Sequence, residues 1–157
     1  MEKANSSSRS WDSVSEIELV YRSKVKASER PKIKSSKDAY KVLMSSWNPD
    51  AIEFFEQFKV VLLNQAHRVL GIYELSSGGI TGTVADLRLV FAAALKANAT
   101  AVMIAHNHPS GHLGTSEADR SITRRIAEAG RLLDIALVDS IIVTVEGYYS
   151  FADQGLL

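Results

Sequence analysis

Cysteine is absent from this 157-residue chain. The absence excludes disulfides and thiolate metal sites, so any metal must rest on histidine and carboxylate ligands. No apolar run reaches the length needed to span a membrane, and the opening Met1-Glu2-Lys3-Ala4-Asn5-Ser6-Ser7-Ser8 lacks the apolar stretch of a signal peptide. A soluble, cytoplasmic protein with no membrane partner is the expectation. Net charge is lacking too, since 18 Lys/Arg balance 18 Asp/Glu. What is present is ordinary for one globular domain, 46% apolar and 23% charged residues over a length that can bury a sizeable core.

The zero charge conceals an uneven distribution. Residues 1–50 hold ten Lys/Arg against seven Asp/Glu, a net of +3, and residues 51–157 hold eight against eleven, a net of −3. Eight of the basic residues fall between Arg22 and Lys41, where they can steer an acidic partner or guard an edge strand. The negative C-terminal part is poorly suited to nucleic acid, whose binding depends on neutralising phosphates.

Three stretches follow from the patterning. Residues 1–13 are Ser-rich and predict a disordered tail. Residues 14–50 form a basic extension with a strand and a helix. The strand is read from the alternation of Glu16-Ile17-Glu18-Leu19-Val20-Tyr21. The helix starts at a Ser35 or Ser36 cap and runs to Ser46, with Ala39, Val42, Leu43 and Met44 as its apolar face. Residues 51–157 carry the main domain. Asn48-Pro49 opens a further helical turn, and Ile52, Phe54, Phe55 and Phe58 cover a core.

Strands at 59–63 and 68–73 pair around the turn Asn64-Gln65-Ala66-His67, in which His67 has no other role. Ser76-Ser77-Gly78-Gly79 predicts a flexible loop. A helix over 86–97 buries Leu87, Val90, Phe91, Ala94 and Leu95. A strand at 101–105 precedes a helix over 116–133, read from Ile122, Ile126, Ala129 and Leu133, and strands at 135–138 and 140–145 follow. Strands alternating with helices predict an α/β fold, a mixed β-sheet flanked by helices on both faces.

One stretch carries chemistry. His106-Asn107-His108-Pro109-Ser110-Gly111 follows the apolar run Ala101-Val102-Met103-Ile104-Ala105, and seven residues separate His108 from Ser116, with two more before Asp119. Strand residues at i and i+2 share a side, so His106 and His108 can converge on one point. With Asp119 they take three corners of a zinc tetrahedron and leave the fourth for water, as in catalytic rather than structural sites. One zinc per chain is the expected cofactor. Ser116-Glu117-Ala118-Asp119 is also a capping-box pattern, which starts a helix at Ser116 and puts Asp119 in its first turn. The Ser116 hydroxyl then lies where it can donate to a substrate oxygen. Pro109, Ser110 and Gly111 form a turn, and Asn107 points away from the metal and ties down a loop. His112 is left out as a ligand, because a fourth protein ligand would close the site. The letters His-Asn-His do not indicate an HNH nuclease, whose three named residues come from separate places in its motif.

The run from His106 to Asp119, continued through Arg120-Ser121-Ile122-Thr123-Arg124-Arg125-Ile126-Ala127-Glu128-Ala129-Gly130, strongly resembles the RadC family. So do Gly82-Thr83-Val84-Ala85-Asp86-Leu87-Arg88-Leu89-Val90-Phe91 and Leu137-Val138-Asp139, and the resemblance extends from about Glu56 to the C-terminus. Members carry the JAMM (MPN-plus) metalloprotease motif, His-x-His, seven residues, Ser-x-x-Asp. The resemblance implies a cytidine deaminase-like JAMM/MPN architecture, zinc on His106, His108 and Asp119, and a catalytic Glu from upstream, a role that Glu56 matches. Ser140 stands where the family usually has His. The chain is expected to lack the helix-hairpin-helix region that longer members place in front. Asp139 matches a family position and either orients a ligand His or caps a strand.

These readings imply a zinc-dependent hydrolase of the metallopeptidase or isopeptidase type, with a peptide or isopeptide as its substrate. Two alternatives stand beside it. One is a non-catalytic module braced by zinc, which would need neither Glu56 nor Ser116. The other is a DNA-repair-associated protein acting on nucleic acid, although zinc deaminases typically use Cys ligands and a His-x-Glu signature that this chain lacks. Oligomeric state is not legible.

Overall fold

The computed structural model describes residues 15, 17–78 and 85–157. Five strands form one mixed sheet: β1 (Gln57–Leu63), β2 (Val69–Ser77), β3 (Ala101–Asn107), β4 (Ala136–Val143) and β5 (Tyr148–Ser150). They lie in the order β2-β1-β3-β4-β5, antiparallel except for the β3–β4 pair. A parallel pair needs a crossover, and α3 (Glu117–Leu132) supplies it. Every residue of β1 and β3 is buried, because helices cover both faces of the sheet.

The faces sort by alternation. Val61, Leu63, Met103, Ala105, Ile141 and Val143 pack with Ala39 and Leu43 of α1 (Ser36–Ser46). Val60, Leu62, Val102 and Ile104 pack with Val90, Phe91 and Ala94 of α2 (Leu87–Lys96) and Ile126 of α3. The α/β sheet flanked by helices is therefore observed. Caps set the helix starts: Ser35 Oγ accepts from Asp38 N, and Asp86 Oδ1 from Arg88 N. Among the described residues no helix is long and apolar enough to cross a membrane.

Several expectations are corrected. Residues 17–21 form no strand; Ile17 and Leu19 are 84% and 78% exposed, and Tyr21 meets the edge strand β2 through its side chain, its hydroxyl donating to Leu70 O at 2.6 Å. Leu95 and Leu133 point to solvent, while Thr123 and Gly130 take buried positions of α3. Gly130 is required there because a Cβ would collide with the Ile135 carbonyl oxygen. Phe54 is 75% exposed, not core. Ser76 and Ser77 belong to β2 rather than to a loop, and the short strand β5 was not anticipated. The two strands read at 135–138 and 140–145 are one, β4, interrupted by a bulge where the register jumps from Leu137 to Asp139. His67 is a turn residue as expected, in the left-handed region at φ 56°. The tail at 1–13 and Gly79 lie outside the described residues.

The bulge turns Asp139 toward the α1 side of the sheet, away from His106, so it orients no ligand. Its Oδ1 accepts from Ser140 N at 2.7 Å and Ala152 N at 3.0 Å, and its Oδ2 accepts from Ser150 Oγ at 2.6 Å. The carboxylate thus ties β4 to β5. Burial pushes its pKa above 3.8, opposed only in part by these three hydrogen bonds. A carboxyl whose pKa rises on folding stabilises the fold fully below pH 3.8, and that contribution is lost as pH rises through the raised value. Asp139→Asn keeps an acceptor for the two N–H groups and can donate to Ser150. The expected result is a variant that lacks this loss of stability, read by urea unfolding of both proteins from about pH 4 to about pH 7. Parallel pH profiles would show that Asp139 does not titrate in that window.

Candidate metal centre

The end of β3 and the start of α3 build the site. His106, two residues beyond Ile104, faces the α2/α3 side of the sheet. His108 follows the strand end, where its N–H donates to the Val143 carbonyl at 3.2 Å. The predicted turn is present: Gly111 N donates to His108 O at 3.0 Å, and Gly111 has φ +81°, which glycine adopts without strain. His108 Nδ1 lies 2.6 Å from the His112 carbonyl oxygen. That contact needs the ring proton on Nδ1, which leaves the Nε2 lone pair free. His112 therefore serves the site through its backbone, and its ring lies over Gly114, where a Cβ would collide with it.

Asp119 is delivered by the cap of α3. Ser116 Oγ accepts from Asp119 N at 3.0 Å, and Asp119 Oδ2 accepts from Ser116 N at 2.8 Å, a complete capping box. The other oxygen, Oδ1, faces His106 Nε2 at 3.1 Å. One carboxylate thus starts the helix with one oxygen and presents the other to His106. Burial pushes the Asp119 carboxyl up, but the His106 ring and the Ser116 hydrogen bonds outweigh it and hold the group well below the usual carboxylate range.

The donor atoms fit a metal ion. His106 Nε2 lies 3.1 Å from His108 Nε2, and Asp119 Oδ2 lies 3.8 Å from His108 Nε2. Bonds of about 2.0–2.2 Å in a zinc tetrahedron imply donor–donor edges of about 3.3–3.6 Å, close to the 3.1 Å that separates His106 Nε2 from both His108 Nε2 and Asp119 Oδ1. His106, His108 and Asp119 form a group able to hold a metal, and the three side chains are only 7–15% exposed.

Glu56 stands one residue before β1. It lines a cavity of about 260 Å³ with His106 and Asp119, and a second recess with His108. Two contacts hold this approach. Phe58 is the register partner of His106, and its ring lies parallel to the imidazole at 6.1 Å between centroids. Asn107, fully buried, points away from the histidine side as expected. What it ties down is not the turn at 109–111 but the segment leading into Glu56: its Nδ2 donates to Ile52 O (2.7 Å) and Phe55 O (2.9 Å), and its Oδ1 accepts from Gln57 N (2.7 Å).

Ser116 is an exposed N-cap and does not line the 260 Å³ cavity, whereas Ser121, Ile122 and Arg125 of α3 do. The sequence reading missed these three; the signal was helical spacing from Ala118, which brings 118, 122 and 125 onto one face. Ser140 is buried beneath α3. Its hydroxyl shares a 3.0 Å hydrogen bond with the Thr123 hydroxyl, which also donates to the Asp119 carbonyl oxygen at 2.8 Å. This position therefore supports the turn that carries Asp119.

Comparison with known proteins agrees with this arrangement. Residues 33–156 match the family model of the RadC-like JAB domain. A UPF0758 protein of Flavobacterium johnsoniae is 44% identical over 126 residues, 80% of this chain and 53% of that protein. Another from Alkaliphilus metalliredigens is 36% identical over the same shares, and one from Symbiobacterium thermophilum is 44% identical over 102 residues, 65% of this chain and 44% of its own. The chain spans about half the length of the curated relatives it matches. A match over most of the chain, together with a mixed sheet that brings His106, His108 and Asp119 together, means that this chain belongs to the RadC family through its RadC-like JAB domain.

Proposed function

We propose that the chain is a zinc-dependent amide hydrolase that cleaves a peptide or isopeptide bond. The observation that carries this reading is the convergence of three donor atoms, from β3, the residue just after it and α3, beside a cavity that Glu56 also lines. Three protein ligands leave a position open, as catalytic zinc sites do. Zinc held there supplies Lewis acidity, lowering the pKa of water toward about 7 and polarising the scissile carbonyl.

The chain's own residues do the rest. Glu56 accepts a proton from the attacking water and passes it to the leaving nitrogen as the C–N bond breaks. The Ser116 hydroxyl accepts from Asp119 N, and its own proton is donated to the carbonyl oxygen as charge develops there. His108 is held in the ligating tautomer by the His112 carbonyl, and Asn107 fixes the backbone that precedes Glu56.

The test is metal add-back. Metal-free protein is expected to take up one zinc per chain, to melt higher, and to hydrolyse peptide or isopeptide amides only when loaded. Uptake and stabilisation without hydrolysis of either bond type would favour the braced binding module instead. Zinc-dependent cleavage or deamination of nucleic acid would favour the alternative substrate class.

A further inference from the structure

We propose that Arg125 forms a carboxylate subsite beside the metal centre, so that the amide cleaved joins an acyl group to a residue bearing a free carboxylate. This rests on the reading of the site as an amide hydrolase. The cavity of about 260 Å³ is walled by His106, Asp119 and Glu56, with Phe58, Ile122 and Arg125. Its volume lies just below the common range for small-molecule pockets, about 300–1,000 Å³, which suits a single residue of a substrate. Phe58 and Ile122 offer that residue an apolar surface.

Arg125 supplies the one cation among the residues lining the cavity. It follows Ala118 and Ile122 on one face of α3, and helical side chains lean toward the helix N-terminus. Its guanidinium therefore leans toward the turn that holds Asp119. Neighbouring arginines are engaged: Arg120 Nε donates to Thr115 Oγ1 at 3.0 Å, and Arg124 pairs with Glu117 at 3.0 Å. Arg125 has no hydrogen-bond or ion-pair partner among the described residues. A guanidinium fork matches a carboxylate in plane and charge. With a dication on the histidines, the cavity wall is net positive despite Glu56 and Asp119, so an anion is admitted.

The test uses the zinc-loaded chain and three probes that anchor through a thiolate: mercaptoacetyl-leucine, its primary amide, and mercaptoacetyl-isoasparagine, whose only carboxylate is on the side chain. Binding is titrated calorimetrically to wild type and to Arg125→Gln. The leucine acid is expected to bind about tenfold tighter than its amide, and Arg125→Gln abolishes that advantage with zinc content unchanged. The same advantage in the isoasparagine probe instead would support the subsite and assign it to a side-chain carboxylate rather than a chain end. Equal binding of acid and amide, or an advantage that survives Arg125→Gln, overturns the subsite and leaves the metal reading intact. No binding by any probe overturns the open metal position beneath both.

Discussion

Glu56→Gln is expected to keep one zinc per chain and to slow amide hydrolysis by about 10²–10⁴-fold, the usual contribution of a positioned general base. The substitution preserves shape and removes only the proton acceptor. Structure predicts little collateral damage. The Glu56 side chain has no hydrogen-bond or ion-pair partner among the described residues, and what anchors this position is backbone: its carbonyl accepts from Gly78 N at 2.8 Å. Melting temperature should therefore stay close to wild type while the rate collapses. Elemental mass spectrometry and a rate assay on one preparation decide the matter. Full activity with full zinc would move the base elsewhere, and lost zinc would make Glu56 a ligand instead.

Asp119→Ala is expected to abolish stoichiometric zinc and to lower stability in two separable parts. The first is the lost acceptor for Ser116 N, worth about 0.5–2 kcal/mol as for other helix caps. The second is the lost linkage to metal, about 2.7 kcal/mol when free zinc is a hundredfold above its dissociation constant. Unfolding measured with and without chelator separates them, because only the first part survives in chelator. His106→Ala serves as the partner experiment: it removes a ligand and leaves the capping box intact. Undiminished zinc in both variants would reduce the site to a capped helix beside two histidines.

These two experiments address the places where sequence pattern and geometry had to be joined. The capping-box reading and the ligand reading of Ser116-x-x-Asp119 stood side by side along the chain. In three dimensions they use different oxygens of one carboxylate, Oδ2 toward Ser116 N and Oδ1 toward His106. Asn107 was legible as pointing away from its neighbours, because alternation on a strand dictates it. Which segment its amide would hold was not, since Ile52 and Phe55 lie more than fifty residues away in sequence. Residues 17–21 of the strand expected at 16–21 do not pair, although β2 is an edge strand and Tyr21 reaches it through its hydroxyl. Alternation states a preference for pairing and does not by itself supply the backbone ladder.

Local spacing determined a good deal of this protein. It fixed the cap at Ser116, the turn at Gly111, the apolar ligand strand and the alternation of strands with helices, because each depends on residues within a few positions of one another. Tertiary structure alone decided the rest. The bulge at Leu137/Asp139 sends Asp139 to the face opposite the histidines, and antiparallel pairing of Phe58 with His106 brings Glu56 to the same cavity. The turn of α3 over the sheet exposes Arg125 and Ser121 to that cavity while burying Gly130. Such outcomes depend on register and crossing between distant segments, where one shifted residue reverses which face a side chain occupies.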